Sequence, residues 1–215
     1  MTEPDLNLSD GMRVGLLGGS FNPPHDGHVE ISRAALRALS LDAVVWLVTP
    51  GNPQKAADLY APYPIRLAAA RDLLRRTVPD DPIVVSDFEN RRRLVYSADT
   101  VAALLRTYPR VDFVWLIGAD SLAGLHTWRN WRTGIAERMP IAVFGRPGAE
   151  TAASRAPAAR ALRARRLPEI AADTLAGSDP PAWVFVSETR NPASSTEIRA
   201  TTPDWTRRWK DRATL

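Results

Sequence analysis

Six short, almost unbroken apolar runs punctuate this chain: Val14–Leu17, Ala43–Val48, Ile83–Val85, Phe113–Ile117, Ile141–Phe144 and Trp183–Val186. Runs of this length, rich in Val and Ile, read as strands. With no polar residue at alternate positions, they read as strands buried on both faces. Helical patterns fall between them at His28–Leu39, Pro64–Arg76, Ser97–Thr107 and Ala153–Arg166. Strands covered on both faces and separated by helices predict an α/β domain, doubly wound around a mostly parallel sheet. Proline and glycine clusters at Pro50–Pro53, Pro79–Pro82, Arg146–Gly148 and Gly177–Pro181 mark the loops.

At 215 residues with 45% hydrophobic content, one domain with a full core is expected. Residues 1–10 are polar and acidic and read as a flexible N-terminal tail, leaving the domain to residues 11–215. No apolar stretch reaches the roughly 18–20 residues of a membrane span, and the N-terminus lacks the pattern of a signal peptide. The absence of cysteine excludes a disulfide framework and thiolate metal sites. These features fit a cytoplasmic protein with no membrane partner. The net charge of +4 is carried mainly by arginine, since Lys55 and Lys210 are the only lysines. Much of that arginine is interleaved with acids, which argues against a nucleic-acid surface.

The chemistry concentrates after the first strand. Gly18-Gly19-Ser20-Phe21-Asn22-Pro23-Pro24-His25-Asp26-Gly27-His28 leads from Val14–Leu17 into the first helix. A glycine-rich turn between a strand and a helix N-terminus is where a parallel α/β fold binds phosphate. Two of the three histidines lie in this turn. His28 falls in the first helical turn, where free N–H groups and the helix dipole favour an anion.

The segment Gly19–His28 resembles the G-[ST]-F-[DN]-P-x-H-x-G-H signature of the HxGH nucleotidyltransferases, and Ser194-Ser195-Thr196-Glu197-Ile198-Arg199 resembles their S-[ST]-T-x-I-R motif. The resemblance runs from residue 13 to about residue 200 and implies a Rossmann-like domain. It implies ATP binding by Gly18, Gly19, Ser20, Phe21, His25 and His28. It further implies a triphosphate grip by Ser195, Thr196 and Arg199, with His25, His28 and Arg199 catalytic. Mg²⁺ would be bound through the ATP phosphates, with no dedicated carboxylate cage.

Other segments point to the branch that adenylylates nicotinate mononucleotide. Trp115–Ser121 ends a strand in Gly118 and Asp120. The residues alone allow a ribose or amine contact, or a turn glycine with an N-capping Asp. The resemblance places both on the ATP side, with Arg146 of the Arg146-Pro147-Gly148 turn. Trp128 and Trp131 can stack on a pyridine ring or pack into the core; the resemblance gives the stacking role to Trp128. Tyr96–Thr100, after Glu89, resembles E-x(5,6)-S-Y-T-x-D-T, with Val95 in place of Ser and Ser97 in place of Thr. It implies a pocket for the pyridine carboxylate at Tyr96 and Ser97; read alone, Ser97 is a helix N-cap. The loop after the second strand carries Asn52 and Lys55 toward the pyridine nucleotide by the same resemblance, or is a surface loop. The expected partners are therefore ATP and nicotinate mononucleotide.

Overall fold

The computed structural model describes residues 6–51, 60–145, 149–187 and 194–210. Seven parallel strands form one sheet in the order β3-β2-β1-β4-β5-β7-β6. They are β1 (Arg13–Gly19), β2 (Ala43–Val48), β3 (Ile83–Ser86), β4 (Asp112–Gly118), β5 (Ile141–Phe144), β6 (Arg166–Leu167) and β7 (Trp183–Val186). The helices are α1 (Asp26–Ala38), α2 (Tyr63–Thr77), α3 (Phe88–Arg91), α4 (Ser97–Thr107), α5 (Ala119–Gly124), α6 (Glu150–Ser154), α7 (Pro157–Ala161), α8 (Ser195–Thr201) and α9 (Arg207–Lys210).

The chain winds outward from β1 to β3, returns to β4 beside β1, and winds out the other way. The order reverses between β1 and β4, so their carboxyl ends open a crevice. Central strands are apolar throughout because both faces are covered. One core packs Val14, Leu16, Trp115 and Ile117 under α4. The other packs Leu17, Trp46, Val114 and Leu116 with Ala34 and Ala35 of α1 and Leu73 and Leu74 of α2.

Two readings need correction. The helix expected over Ala153–Arg166 is broken: α6 ends at Ser154, Pro157 opens α7, and a single 3₁₀ turn, Arg163–Arg165, leads into β6. Composition favoured helix, but a proline belongs in the first turn of a helix and interrupts its interior. The parallel sheet is found as expected, with all seven strands parallel and a two-residue edge strand, β6, that was too short to read. The N-terminal segment is docked from Leu6 onward. Leu6 is buried, its N–H donates to the Tyr108 hydroxyl at 2.7 Å, and that hydroxyl donates to the Leu6 carbonyl at 3.1 Å.

Tyr108→Phe removes both bonds and leaves the buried Leu6 N–H unpaired, while the Leu6 carbonyl keeps the Leu8 N–H at 2.9 Å. It is expected to cost about 1–2 kcal/mol of stability in denaturant unfolding and to speed hydrogen exchange at the Leu6 amide, with the rest of the sheet unchanged.

Candidate active site

The crevice between β1 and β4 holds a cavity of about 510 Å³. At one end it is walled by Gly18, Gly19, Ser20, Phe21 and His28. At the other it is walled by Glu89, Tyr96, Ser97 and Trp128. A Cβ on Gly18 would lie 3.2 Å from the Trp115 ring, so a side chain there would crowd the indole.

Phe21 takes a left-handed conformation, φ 47°, which turns the chain sharply after β1. Non-glycine residues adopt this region at a cost of about 1 kcal/mol or more, tolerated where surrounding contacts fix it. Here those contacts are aromatic. Phe21 is buried and stacks on Trp46 with centroids 4.9 Å apart, and His28 packs against both rings. Trp46 Nε1–H donates to Ser32 Oγ at 2.8 Å, and Ser32 Oγ–H donates to the His28 carbonyl at 2.8 Å. Side chains from the turn after β1, from β2 and from α1 thus hold the histidine end of α1 in place.

His25 is the N-cap of α1, and its ring lies 3.9 Å from that of His28. His28 Nδ1 is 3.2 Å from the His25 N–H and 3.3 Å from its carbonyl. Accepting the shorter bond leaves the ring proton on Nε2. Burial, reinforced by the neighbouring His25 ring and opposed by the backbone bond, pushes the His28 pKa down to about 3. Burial also lowers that of His25, with Asp26 opposing. Both rings are therefore neutral near pH 7, and His28 is a neutral N–H donor rather than a fixed cation.

Arg66, on the inner face of α2, is 1% exposed, and no carboxylate pairs with it among the described residues. Its donors reach four carbonyls: Ser20 at 2.6 Å, Thr49 at 2.8 Å, Pro50 at 2.9 Å and Ala61 at 3.0 Å. Tyr60 and Tyr63 present their ring faces, with guanidinium-to-centroid distances of 5.5 and 5.4 Å. One buried side chain thereby ties the turns after β1 and β2 to the entry of α2. The sequence reading missed it, as one arginine among many in an amphipathic helix.

At the other end, Tyr96 rather than Ser97 is the N-cap of α4, and its carbonyl accepts from the Asp99 and Thr100 N–H groups at 2.9 and 3.1 Å. Trp128 is half-buried and lines the cavity with Tyr96 and Ser97, and the Arg129 guanidinium lies 4.5 Å from the Tyr96 ring centroid. The segment reaches this close because Gly134 packs on α4; a Cβ there would sit 2.7 Å from that of Ala98. Thr49, Gly51, Tyr60, Glu89, Val95, Trp115, Ser121, Thr127 and Arg129 line the cavity without having been singled out as site residues. Glu89 and Val95 had sequence cues beside the Tyr96–Thr100 segment, Ser121 in the Trp115–Ser121 segment and Gly51 in the loop after the second strand.

Of the residues read from sequence, Gly18, Gly19, Ser20, Phe21, His28, Tyr96, Ser97 and Trp128 line one cavity. His25 backs His28 from outside the wall. Gly118 and Asp120 stand at the carboxyl edge of β4 but off the cavity wall, where Ser121 takes the place expected of them. Ser195, Thr196 and Arg199 also lie off the wall and dock instead on the turn after β1. Ser195 Oγ–H donates to the Pro23 carbonyl at 2.8 Å, and Arg199 donates to the Asn22 carbonyl at 2.5 Å and to Thr196 Oγ1 at 3.2 Å. Asn52, Lys55 and Arg146 lie outside the described residues.

A parallel sheet with a glycine turn, paired histidines and a helix N-terminus at its switch point defines a nucleotide-binding α/β protein. The cytidylyltransferase-like family model matches residues 16–201. A probable nicotinate-nucleotide adenylyltransferase of Ruegeria sp. (strain TM1040) is 49% identical over 189 residues, 87% of this chain and 96% of its own. Another, of Cereibacter sphaeroides (strain ATCC 17029 / ATH 2.4.9), is 48% identical over 202 residues, 94% of this chain and 100% of its own. Among solved structures, a Plasmodium falciparum nicotinic acid mononucleotide adenylyltransferase complexed with APC superposes with a TM-score of 0.63 at 11% identity. The superposition covers 88% of this chain and 83% of that one, a likeness of fold. The chain therefore belongs to the cytidylyltransferase-like family and, within it, to the nicotinate-nucleotide adenylyltransferases.

The staple formed by Arg66 yields a direct test. Arg66→Ala leaves four carbonyls without their donor and is expected to lose about 3 kcal/mol in denaturant unfolding. Arg66→Lys, with the charge but no fork, should recover less than half of that loss. Faster hydrogen exchange should be confined to the turns around Ser20 and Thr49.

Proposed function

We propose that this protein transfers AMP from ATP to nicotinate mononucleotide, forming deamido-NAD and pyrophosphate in NAD biosynthesis. The observation that carries the reading is one continuous cavity. It joins a phosphate-type turn, Gly18–Phe21 with His28, to an aromatic and helix-N-terminal end formed by Trp128, Tyr96 and Ser97. The relatives that match nearly the whole chain are named for this activity.

The acceptor's 5′-phosphate is already an anionic nucleophile, so no general base is required. Its oxygen would attack the ATP α-phosphorus as the bond to pyrophosphate breaks. Catalysis then rests on positioning and on charge stabilisation. In this reading the backbone N–H groups of Gly19–Phe21 and the N-terminus of α1 receive the phosphates. The neutral His28 donates from Nε2 to an α-phosphate oxygen, where negative charge grows in the transition state. His25 sets the tautomer and orientation of His28 through its backbone N–H.

Ser195, Thr196 and Arg199 fix the turn after β1 by clasping the Asn22 and Pro23 carbonyls. The remaining Arg199 donors can meet the outer phosphates. Trp128 stacks on the pyridinium ring, and the free N–H groups at the start of α4 receive its carboxylate. Gly118, Asp120 and Arg146 are assigned to the adenosine side, and Asn52 and Lys55 to the pyridine nucleotide. Mg²⁺ fits through the triphosphate. Among the described residues no three His, Cys, Asp or Glu side chains converge, so its oxygen ligands would be phosphates and water. When bound it draws charge from the phosphate oxygens.

A product assay with ATP and a panel of acceptors tests the reading. Nicotinate mononucleotide should exceed nicotinamide mononucleotide by about tenfold or more in kcat/KM, the discrimination expected for one added anionic contact at a helix N-terminus. Phosphopantetheine should give no product. Equal use of acid and amide would remove the nicotinate assignment.

Two substitutions separate binding from chemistry. Trp128→Ala should raise KM for the pyridine nucleotide far more than for ATP, because stacking acts in the ground state. His28→Ala should lower kcat by about 10²-fold with small changes in KM, as for loss of a transition-state donor. An unchanged acceptor KM in the first variant would make the indole purely structural.

A further inference from the structure

Arg129 has been given no role above, yet among the described residues it is the only lysine or arginine on the cavity wall. The other ionisable groups there are His28, Glu89 and the phenols of Tyr60 and Tyr96. Arg129 stands at the acceptor end, next to Trp128 in sequence and over the Tyr96 ring in space. Arginines on either side of it in the chain are paired with acids: Arg91 with Asp87 at 2.7 Å and Arg132 with Glu137 at 2.9 Å. Among the described residues neither a carboxylate nor a hydrogen-bond acceptor meets the Arg129 guanidinium. The Tyr96 ring engages its charge and leaves its N–H donors free.

The backbone fixes where this charge sits. Trp128 closes a 3₁₀ turn, its N–H donating to the Leu125 carbonyl at 3.0 Å. Asn130, immediately after Arg129, is left-handed at φ 52°, a conformation asparagine adopts more readily than most residues. The Trp131 N–H then returns to the Trp128 carbonyl at 3.1 Å, and the Gly134 N–H to the Asn130 carbonyl at 2.7 Å. Arg129 is therefore held in a tight turn anchored where Gly134 packs on α4. From adjacent positions its guanidinium and the Trp128 indole reach the same end of the cavity.

The charge on the acceptor's ring decides what such a cation does. In either mononucleotide the pyridine nitrogen bears the ribose, so the ring is a cation. In the nicotinate form a carboxylate cancels that charge, and in the nicotinamide form nothing does. A guanidinium beside the ring attracts the carboxylate of the first and repels the uncompensated ring of the second. We propose that Arg129 is a specificity-determining residue, whose guanidinium, seated on Tyr96, selects an acceptor with an anionic ring substituent and disfavours its amide. The proposal rests on the assignment of nicotinate mononucleotide to this end of the cavity. His28 stands at the opposite end, so the Arg129 charge acts on binding and leaves the chemical step unchanged.

The test is a charge series on the intact protein, read as dissociation constants for nicotinate and nicotinamide mononucleotide with a non-hydrolysable ATP analogue present throughout. Arg129→Met should raise the constant for the acid about fivefold, while that for the amide holds level or falls. Arg129→Glu should raise the constant for the acid about fivefold again and bind the amide more tightly than the wild type does. Turnover of the acid at saturation should stay within about twofold of wild type in Arg129→Met. Each acid-to-amide ratio is taken within one variant, so any loss of folded protein cancels. Equal weakening of acid and amide overturns the proposal, because a contact to the shared phosphate or a purely structural hold on Tyr96 would act on both. A ratio that is the same in Arg129→Met and Arg129→Glu, or unchanged from wild type in either, also overturns it. Absence of deamido-NAD from ATP and nicotinate mononucleotide with the wild type removes the functional reading and the proposal with it, whereas product formation with a flat ratio across the series removes the role of Arg129 alone.

Discussion

The site depends on a buried guanidinium that has no carboxylate partner among the described residues. Charged side chains are seldom fully buried unless paired, because desolvation costs several kcal/mol. Arg66 offsets that cost with carbonyl dipoles from three segments and the faces of two tyrosine rings. The consequence for the cavity is geometric. In a trans peptide the carbonyl and the following N–H point in opposite directions. With the Ser20 and Pro50 carbonyls drawn toward Arg66, the Phe21 and Gly51 N–H groups are turned away from it. Phe21 and Gly51 both line the cavity. A cation inside the wall thus sets donors on its surface, and no acid among the described residues neutralises its charge.

The layers of the fold were legible because burial on both faces leaves an unmistakable apolar run, as at Val44–Val48 and Val114–Ile117, and because glycines at a strand end announce a close approach. The turn after β1 was legible because two glycines and two of the three histidines stand together there. Arg66 and Glu89 were not legible as site residues. Each sits on a helix beside residues of its own charge type, and whether an arginine faces solvent or four carbonyls depends on the turns that meet it from elsewhere. The region 153–166 misled because helix propensity is a local sum, whereas Pro157 and the pairing of Arg166–Leu167 with β7 are decided by position. Gly118 and Asp120 were placed at the correct edge of the sheet. Ser121, in the first turn of α5, lines the cavity.

Ser195 and Arg199 of the C-terminal motif meet the turn after β1 through its backbone, at the Pro23 and Asn22 carbonyls. The turn around Phe21, held in a left-handed conformation, is therefore clamped twice: by Arg66 through Ser20 and by α8 through Asn22 and Pro23. Strain of this kind persists only where the surroundings over-determine it. Its effect is to keep the glycine amides and His28 in register without help from a ligand.

The electrostatic character of the cavity follows from these restraints. Burial holds His28 and Glu89 toward their neutral forms, and Arg66, fixed behind the wall, is positive. Two polyanionic substrates must come together in such a space before a phosphorus can be attacked. A cavity lined with ionised carboxylates would oppose that encounter. One lined with free cations would bind the ground state tightly without favouring the transition state. Neutral donors aimed from rigid elements avoid both outcomes: they contribute little until negative charge concentrates on the oxygens they face, and they contribute most when it does.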